Sequence, residues 1–407
     1  MLVTRLLQLG DIHYPDWPNT SLNVDLKDKH IPTIILAVSR SRAKTLLSSL
    51  ISTLTNDDYD FIFQVGDLTN NGNQNAYRTC LRHLSYLVRR RYLNDTTKGC
   101  IITPGNHDVD RRIAAKHGID AKFRPLQDMV IAEGWPAFPI AGICARENAT
   151  QQPTIVAINL NTSLGCGEIR RSPAQKSGRG RSRRVEEVID SPAIHAQALE
   201  ELAECLAKQP TTVLPVLLGH HNLLPAAHAR VAPYTELLNS GALRSVITKS
   251  DRPVIYLHGH IHADPIEVVA DPYRSNGMLI SISAPALIDG FNVIEITSDD
   301  AGRPRLCRIE KRRTCERGVT VESFIDIPLQ RNAVAVDVSQ SVLIRQCVLG
   351  RARQLWRAVR NQIIQAHPEQ LTESDRLDAA VRELYYSQQI HVHNPREPLE
   401  HWMIENA

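Results

Sequence analysis

Seven residues in this chain join a chemically useful side chain to a repeated placement. Asp11 and His13 stand in GDIH, Asp67 in GDLTNNG, Asn106 in GNHD, His220 in GHH, and His260 and His262 in GHIH. Each group closes an apolar run that ends in glycine. Any one of these histidines, taken alone, reads as an ordinary structural histidine. Together the strand exits read as one shared site, because a polar side chain leaving a buried strand needs a partner or a task. Two carboxylates, one amide and four imidazoles nearly complete the first shells of two divalent ions if one carboxylate bridges them. The pairs Asp11-x-His13 and His260-x-His262 have the i, i+2 spacing that turns both side chains to one side of an extended segment. Mixed oxygen and nitrogen donors suit Mn²⁺ first, then Fe²⁺ or Zn²⁺, whereas a lone Mg²⁺ favours oxygen throughout.

These residues are far apart in sequence, so a fold must gather them. In α/β sheets the loops at the carboxyl ends of the strands converge on one crevice. The segments VTRLLQLGDIH, DYDFIFQVGDLT and GCIITPGNHD read as strands. Between them, AVSRSRAKTLLSSLISTLTND and NQNAYRTCLRHLSYLVRRRYL carry apolar residues at helical spacing. Strand, helix, strand, helix, strand predicts a layered α/β core. Further on, SPAIHAQALEELAECLAK reads as a helix, and two antiparallel strands meet at a turn around DDAGRP. Beyond about residue 320 the pattern changes. There SQSVLIRQCVLGRARQLWRAVRNQIIQAHP and ESDRLDAAVRELYYSQQIHV read as two amphipathic helices, with an irregular stretch over the last dozen residues. The expected division is a catalytic domain over 1–318 and a mainly helical accessory region over 319–407.

The chain of 407 residues is 43% apolar, enough for a real core, and its 47 basic against 44 acidic residues leave the overall charge nearly balanced. Eight cysteines form no CxxC pair, which argues against zinc fingers and a disulfide framework. The N-terminal MLVTRLLQLGDIH lacks the features of a signal peptide, and no apolar run approaches the roughly 20 residues that span a bilayer. A cytoplasmic protein without membrane association is the expectation.

The five motifs, in this order, resemble those of the calcineurin-like metallophosphoesterases over roughly residues 1 to 312. The resemblance implies two facing mixed β-sheets flanked by helices, to which this chain adds its small helical C-terminal region. It implies that Asp11, His13, Asp67 and His262 hold one metal and that Asp67, Asn106, His220 and His260 hold the other, with Asp67 bridging. Two divalent ions about 3.5 to 4 Å apart share a hydroxide and aim it in line at phosphorus. What remains is the leaving group. His107 is the candidate, since it follows Asn106 directly and neither metal shell needs it. Asp108 is read as fixing the His107 tautomer, against the alternative of a turn-capping aspartate. For His221, substrate contact and completion of the loop stay open.

The function expected is phosphodiester hydrolysis by a dinuclear centre with metal-bound hydroxide as nucleophile. The substrate would be nucleic acid or a nucleotide diester. The alternatives are a phosphomonoesterase, including a protein phosphatase, and a non-catalytic partner-binding subunit. The stretch 168–187 carries Arg170, Arg171, Lys176, Arg179, Arg181, Arg183 and Arg184 and reads as a mobile basic loop able to track the phosphates of a polymer through residues 170–184. The C-terminal helices, with Arg351, Arg353, Arg357 and Arg360 beside Leu349, Leu355, Trp356, Val359 and Ile363, are candidates for a protein partner or self-association.

Overall fold

The computed structural model describes residues 2–14, 57–70, 72–88, 99–111, 120–147, 154–171, 186–224, 236–271, 276–330, 338–368 and 374–407, with a few isolated positions between them. The chain opens with β1 (Leu2–Leu9), β2 (Phe61–Gln64), α1 (Gln74–Val88) and β3 (Gly99–Ile102). It continues through α2 (Arg124–Ala132), β4 (Cys144–Glu147) and β5 (Ile155–Asn159) to a ribbon of β6 (Gly165–Arg171), β7 (Gln175–Lys176), β8 (Ser182–Arg183) and β9 (Glu186–Ser191). Next come α3 (Ala196–Lys208), β10 (Leu214–Leu218), α4 (Ser240–Lys249), β11 (Pro253–His258), β12 (Ile266–Ala270) and β13 (Met278–Ser283). The long strands β14 (Gly290–Ser298), β15 (Pro304–Cys315) and β16 (Gly318–Pro328) precede α5 (Val338–Val348), β17 (Gln354–Leu355), α6 (Trp356–Ala366), α7 (Ser374–Tyr386), β18 (Ile390–Val392) and β19 (Met403–Asn406).

Two mixed six-stranded sheets result. One runs β16-β15-β14-β1-β2-β3 and the other β12-β13-β11-β10-β5-β4. In the first, β1, β2 and β3 are parallel, so the chain leaves all three at the same end of the sheet, with the GDIH, GDLTNNG and GNHD motifs at those exits. In the second, β5, β10, β11 and β13 are parallel, which sends GHH and GHIH out together. The inner faces meet in a core that includes Leu6, Phe61, Phe63, Val216, Leu218, Ile255 and Ile294. Helices α1 and α2 cover the outer face of the first sheet, with Tyr77, Leu81, Leu126 and Val130 in its core. Helices α3 and α4 cover the second through Ala198, Leu202, Leu243 and Ile247. This is an α/β fold of two mixed sheets flanked by helices, with further helices at the C-terminus. The Asn73 carboxamide caps α1, accepting from Asn75 N at 2.9 Å and Ala76 N at 3.1 Å. The helix expected between Ala43 and Leu54 lies mostly outside the described residues.

Buried amides tie the two sheets together just below the strand exits. From β1, Gln8 Nε2 donates to His258 O at 3.1 Å and Ile282 O at 3.0 Å, both in the other sheet. From β14, Asn292 Nδ2 donates to Gln8 Oε1 and Ser283 O, each at 3.0 Å. Returning the tie, Asn159 of β5 donates to Ile102 O of β3 at 2.8 Å. Gln64 works within its own sheet, accepting from Gly66 N at 2.6 Å and donating to Gly10 O at 2.8 Å. Gln8, Gln64 and Asn292 are fully buried, so these bonds hold groups that would be expensive to leave unmet.

Four sequence expectations change here. The long C-terminal helix expected from residue 339 breaks into α5 and α6 around Gly350, at φ 69°, a left-handed backbone that glycine adopts without a Cβ penalty. Trp356, Val359 and Ile363 are buried, while Leu349 and Leu355 are exposed, so the apolar residues do not form one stripe. The final residues are not irregular, because β19 pairs with β17 and β18. The stretch 168–187 is not wholly a loop: β6 pairs antiparallel with β9, although the basic side chains within it lie outside the described residues. The first sheet also runs beyond residue 318, since β16 pairs with β15 along its length. The C-terminal elements pack on that sheet with Leu306 in their core, and Arg308 grips Asp326 with two bonds of 2.6 and 2.7 Å. Arg360 reaches Asp378 at 3.0 Å and Arg353 reaches Glu405 at 3.4 Å, so part of the basic set is engaged within the chain. Among the described residues no helix is long and apolar enough to cross a membrane.

The amide ties make a testable claim about stability. Gln8→Met keeps the side-chain length but strands three buried partners, and is expected to lower unfolding free energy by about 1–3 kcal/mol. Urea unfolding followed by circular dichroism checks this; an unchanged midpoint would mean that the tie between the sheets contributes nothing.

Candidate metal centre

The seven residues singled out by type and placement meet in one crevice between the two sheets. Asp11, Asp67 and His220 are essentially unexposed, and His13 and Asn106 nearly so. Three groupings have their ligand atoms within 4.8 Å of one another: Asp11, His13 and His262; Asp11, Asp67 and His220; and His13, Asp67 and His107. A fourth gathers His220, His221 and His260.

Local backbone explains how strand exits deliver these side chains. Among the described residues, four of the six non-glycine positions at positive φ are His13, Asp67, His260 and His262, at 54°, 53°, 71° and 52°. Left-handed backbone is strained for such residues and persists only where the surroundings over-determine it, a pattern that clusters at functional sites. The neighbouring glycines allow close packing between motifs. Gly66 takes φ 99°, and a Cβ there would meet the His220 ring; a Cβ at Gly105 would overlap the Asp67 carboxylate.

Hydrogen bonds then orient each group. His220 Nδ1 donates to Val65 O at 2.8 Å, which leaves Nε2 facing Asp67 Oδ2 at 3.2 Å and Asn106 Oδ1 at 3.1 Å. His260 Nδ1 also stands 3.1 Å from Asn106 Oδ1. His260 N donates to both oxygens of Asp11 at 3.1 Å. His13 Nε2 and His262 Nε2 are 2.8 Å apart, and the buried His13 Nδ1 has no hydrogen-bond partner among the described residues. Imidazole lone pairs, an amide oxygen and carboxylate oxygens therefore face one another, an arrangement that only protons or cations can reconcile. The donor set, mixed oxygen and nitrogen, fits a pair of divalent ions.

The ionisation states carry the same message. Burial would push Asp67 up, yet the imidazoles around it, His220 foremost, hold it well below the usual carboxylate range. Burial raises Asp11 despite His262 and His220. Burial works to lower His220, but Asp67 and Asp11 outweigh it and bring the imidazole up to about 9. Burial depresses His13 and His260 well below the ordinary histidine value.

Beside this cluster, His107 N donates to Asp67 Oδ1 at 2.9 Å and its ring stands edge-on to His13. Asp108 does not orient it. The Asp108 carboxylate accepts from Gly105 N at 2.9 Å, Thr69 N at 2.8 Å and Thr69 Oγ1 at 3.3 Å, so it caps the turn. His107 Nδ1 instead donates to Asn70 O at 2.7 Å. The reason is local: the GNHD turn is a short 3-10 segment, and its closing carboxylate folds back on the turn's first amide. Burial, then the charge of Asp67, pushes Asp108 up to about 7. His221 completes its loop, fully buried, with Nδ1 3.0 Å from Thr162 Oγ1.

Sequence reading missed Thr162 and Asp190. Thr162 Oγ1 accepts from His220 N at 2.9 Å and His221 N at 3.2 Å, seating that loop. Asp190 Oδ2 accepts from Asn106 Nδ2 at 3.3 Å. Nothing in their local sequence marks them. Gln8 and Gln64 did carry a signal, as each is a polar residue inside an apolar run, two places before the glycine of a Gly-Asp pair.

A family model described as calcineurin-like phosphoesterase matches residues 4–264. Among curated proteins none matches. Solved structures that align with this chain include a dimetal phosphatase from Danio rerio, at 14% identity and TM-score 0.45, covering 81% of this chain and 99% of that one. A putative 5′-nucleotidase from Staphylococcus aureus aligns at 14% identity and TM-score 0.43, covering 83% of this chain and 56% of that one. At such identities the likeness says nothing of substrate.

Two outcomes follow from the geometry. Gly105→Ala removes no ligand but drives a methyl group into Asp67, and is expected to lose bound metal; elemental analysis after dialysis reads this, and full retention would show that the crevice yields. Because metal must displace the proton on His220, affinity for Mn²⁺ should rise with pH and level off near pH 9, where that imidazole deprotonates. Calorimetric titration from pH 6 upward tests the sign; affinity falling over that range would contradict it.

Proposed function

Because the chain belongs to the calcineurin-like phosphoesterase family, we propose that it hydrolyses phosphodiesters of nucleic acids or nucleotides. The observation that carries the reading is the convergence of acceptor atoms on Asn106 Oδ1, Asp67 Oδ2, His220 Nε2 and His260 Nδ1, beside the second grouping of Asp11, His13 and His262. Asp11, His13, Asp67 and His262 would hold one ion, and Asp67, Asn106, His220 and His260 the other. Two bound divalent ions, Mn²⁺ in our reading, supply the positive charge that activates water and neutralises the phosphoryl oxygens.

The remaining steps belong to the chain. Asp67, kept ionised by its neighbours, would serve both ions, and it accepts from the His107 backbone N–H, which ties this carboxylate to the GNHD turn. His107 Nδ1 keeps its proton on Asn70 O, which turns Nε2 away from that carbonyl. As imidazolium, His107 donates its Nε2 proton to the departing oxygen. Asp108 holds the turn that carries both Asn106 and His107, so its part is support and not proton transfer. A monoester dianion wants extra cationic contacts. Arg111, which follows the GNHD motif, stands 3.8 Å from the Asp190 carboxylate.

Purified protein loaded with Mn²⁺ should cleave cyclic nucleotides, DNA or RNA in preference to a phosphopeptide; preference for the phosphopeptide would turn the assignment to a phosphomonoesterase. His107→Ala is expected to keep both ions yet slow diesters with poor leaving groups by about 10²-fold or more. Nitrophenyl esters, whose leaving group departs without a proton, should slow far less. An equal loss across a leaving-group series would remove His107 from that role.

A further inference from the structure

An asparagine that binds metal has a problem that an aspartate does not: only one end of its amide is a ligand. Asn106 is almost fully buried, and its Oδ1 lies 3.1 Å from both His220 Nε2 and His260 Nδ1. A half-turn of the amide would aim its NH2 at the same space and repel a cation. Something must hold the correct face inward.

Asp190, near the end of β9, does this through a bulge. The ladder between β6 and β9 shifts register between Gly165 and Glu168. Inside the shift Gly167, at φ 79°, turns its N–H to Asp190 Oδ1 at 2.8 Å. The other oxygen, Oδ2, accepts from Asn106 Nδ2 at 3.3 Å and stands 3.8 Å from Arg111 Nη2. Both carboxylate oxygens are thus acceptors facing N–H donors, and neither can be replaced by a donor without conflict.

We propose that Asp190 is a positioning residue that fixes the amide orientation of Asn106, keeping Oδ1 toward the second metal position and joining the root of the β6–β9 ribbon to the metal centre. The inference rests on the dimetal reading above. A carboxylate can only accept from an uncharged amide, so it selects the rotamer with NH2 outward. Partners of this kind behind a ligand typically contribute 10–100-fold to metal affinity, roughly.

The physical argument predicts a particular pattern of variants. In Asp190→Asn, an isosteric change, the new carboxamide has one acceptor for two donors. If its oxygen stays with Gly167 N, its NH2 opposes the NH2 of Asn106 and drives the wrong face inward. The exchange Asn106→Asp with Asp190→Asn restores a complementary pair: the new amide at 190 accepts from Gly167 N and donates to the new carboxylate at 106, which has no wrong face. Asn106→Asp alone sets two carboxylates against each other.

Calorimetric titration of the full chain with Mn²⁺, together with circular dichroism and unfolding midpoints, tests this. The parent should bind two equivalents. Asp190→Asn should keep the parent spectrum and midpoint while one equivalent weakens about tenfold or more and the other changes little. The exchanged pair should bind that equivalent about tenfold more tightly than either single variant, a coupling that only directly interacting residues show. Parent-like binding by Asp190→Asn overturns the proposal, as does an exchanged pair no tighter than Asn106→Asp alone. A lowered midpoint with unchanged affinity would make Asp190 a ribbon anchor only, and also overturns it. A parent that fails to bind two equivalents refutes the dimetal reading itself, and this inference with it.

Discussion

The site depends on one electrostatic constraint: acceptor atoms are buried facing acceptor atoms. His220 Nε2 meets Asp67 Oδ2 and Asn106 Oδ1, while His13 Nε2 meets His262 Nε2 at 2.8 Å. In water each would be solvated, but in a closed crevice each unmatched lone pair is a debt of desolvation. Protons ease it in part, which is why the carboxylates bring His220 up to about 9 against its burial. Two divalent cations would satisfy the same atoms more completely. The fold therefore holds a charge distribution that favours binding of such ions, and metal affinity and protonation oppose each other at the same nitrogen.

Holding such groups together requires a frame that does not relax. Parallel strands in both sheets bring the motif-bearing exits to one end, and left-handed backbone at His13, Asp67, His260 and His262 directs the side chains. Relaxation of those turns is opposed from below by the buried amides of Gln8, Gln64, Asn159 and Asn292, which link the sheets or their exits by hydrogen bonds. Apolar packing sets the spacing of the sheets; directional bonds fix the register of one against the other. The C-terminal elements reinforce the long antiparallel strands through the core of Trp356 and Leu306 and through Arg308, whose Nη2 donates to Val392 O at 3.3 Å.

The ribbon β6–β9 connects differently. Its root touches the site through Asp190, and the sequence between β6 and β9 is rich in basic residues. One carboxylate thus joins the amide of a metal-binding candidate to the Gly167 N–H of the ribbon. Arg111 shares that carboxylate, so the charge of Asp190 is divided between orientation of an amide and neutralisation of an arginine.

Much of the site was legible in the sequence because its residues follow a local rule: an apolar strand, a glycine, then a side chain of ligand type. That rule needs no long-range information, but no single instance is decisive: Asp11, Asp67, Asn106, His220 and His260 become a site only through its recurrence at five strand exits. The strands β1, β2 and β3, the helix α1 and the DDAGRP turn were readable for the same local reason, the turn now closed by Asp299 on Ala301 and Arg303. What the sequence could not decide was set by contacts between distant segments. Asp108 could reach either the imidazole beside it or the amides of its own turn, and only the approach of Thr69 settled which. The long C-terminal helix broke at Gly350, whose left-handed backbone lets its two halves turn into one shared core. Asp190 and Thr162 carry no local mark at all: their importance exists only where β5, β9 and the GNHD and GHH turns come together, and hydrogen bonding across such separations is a property of tertiary structure alone.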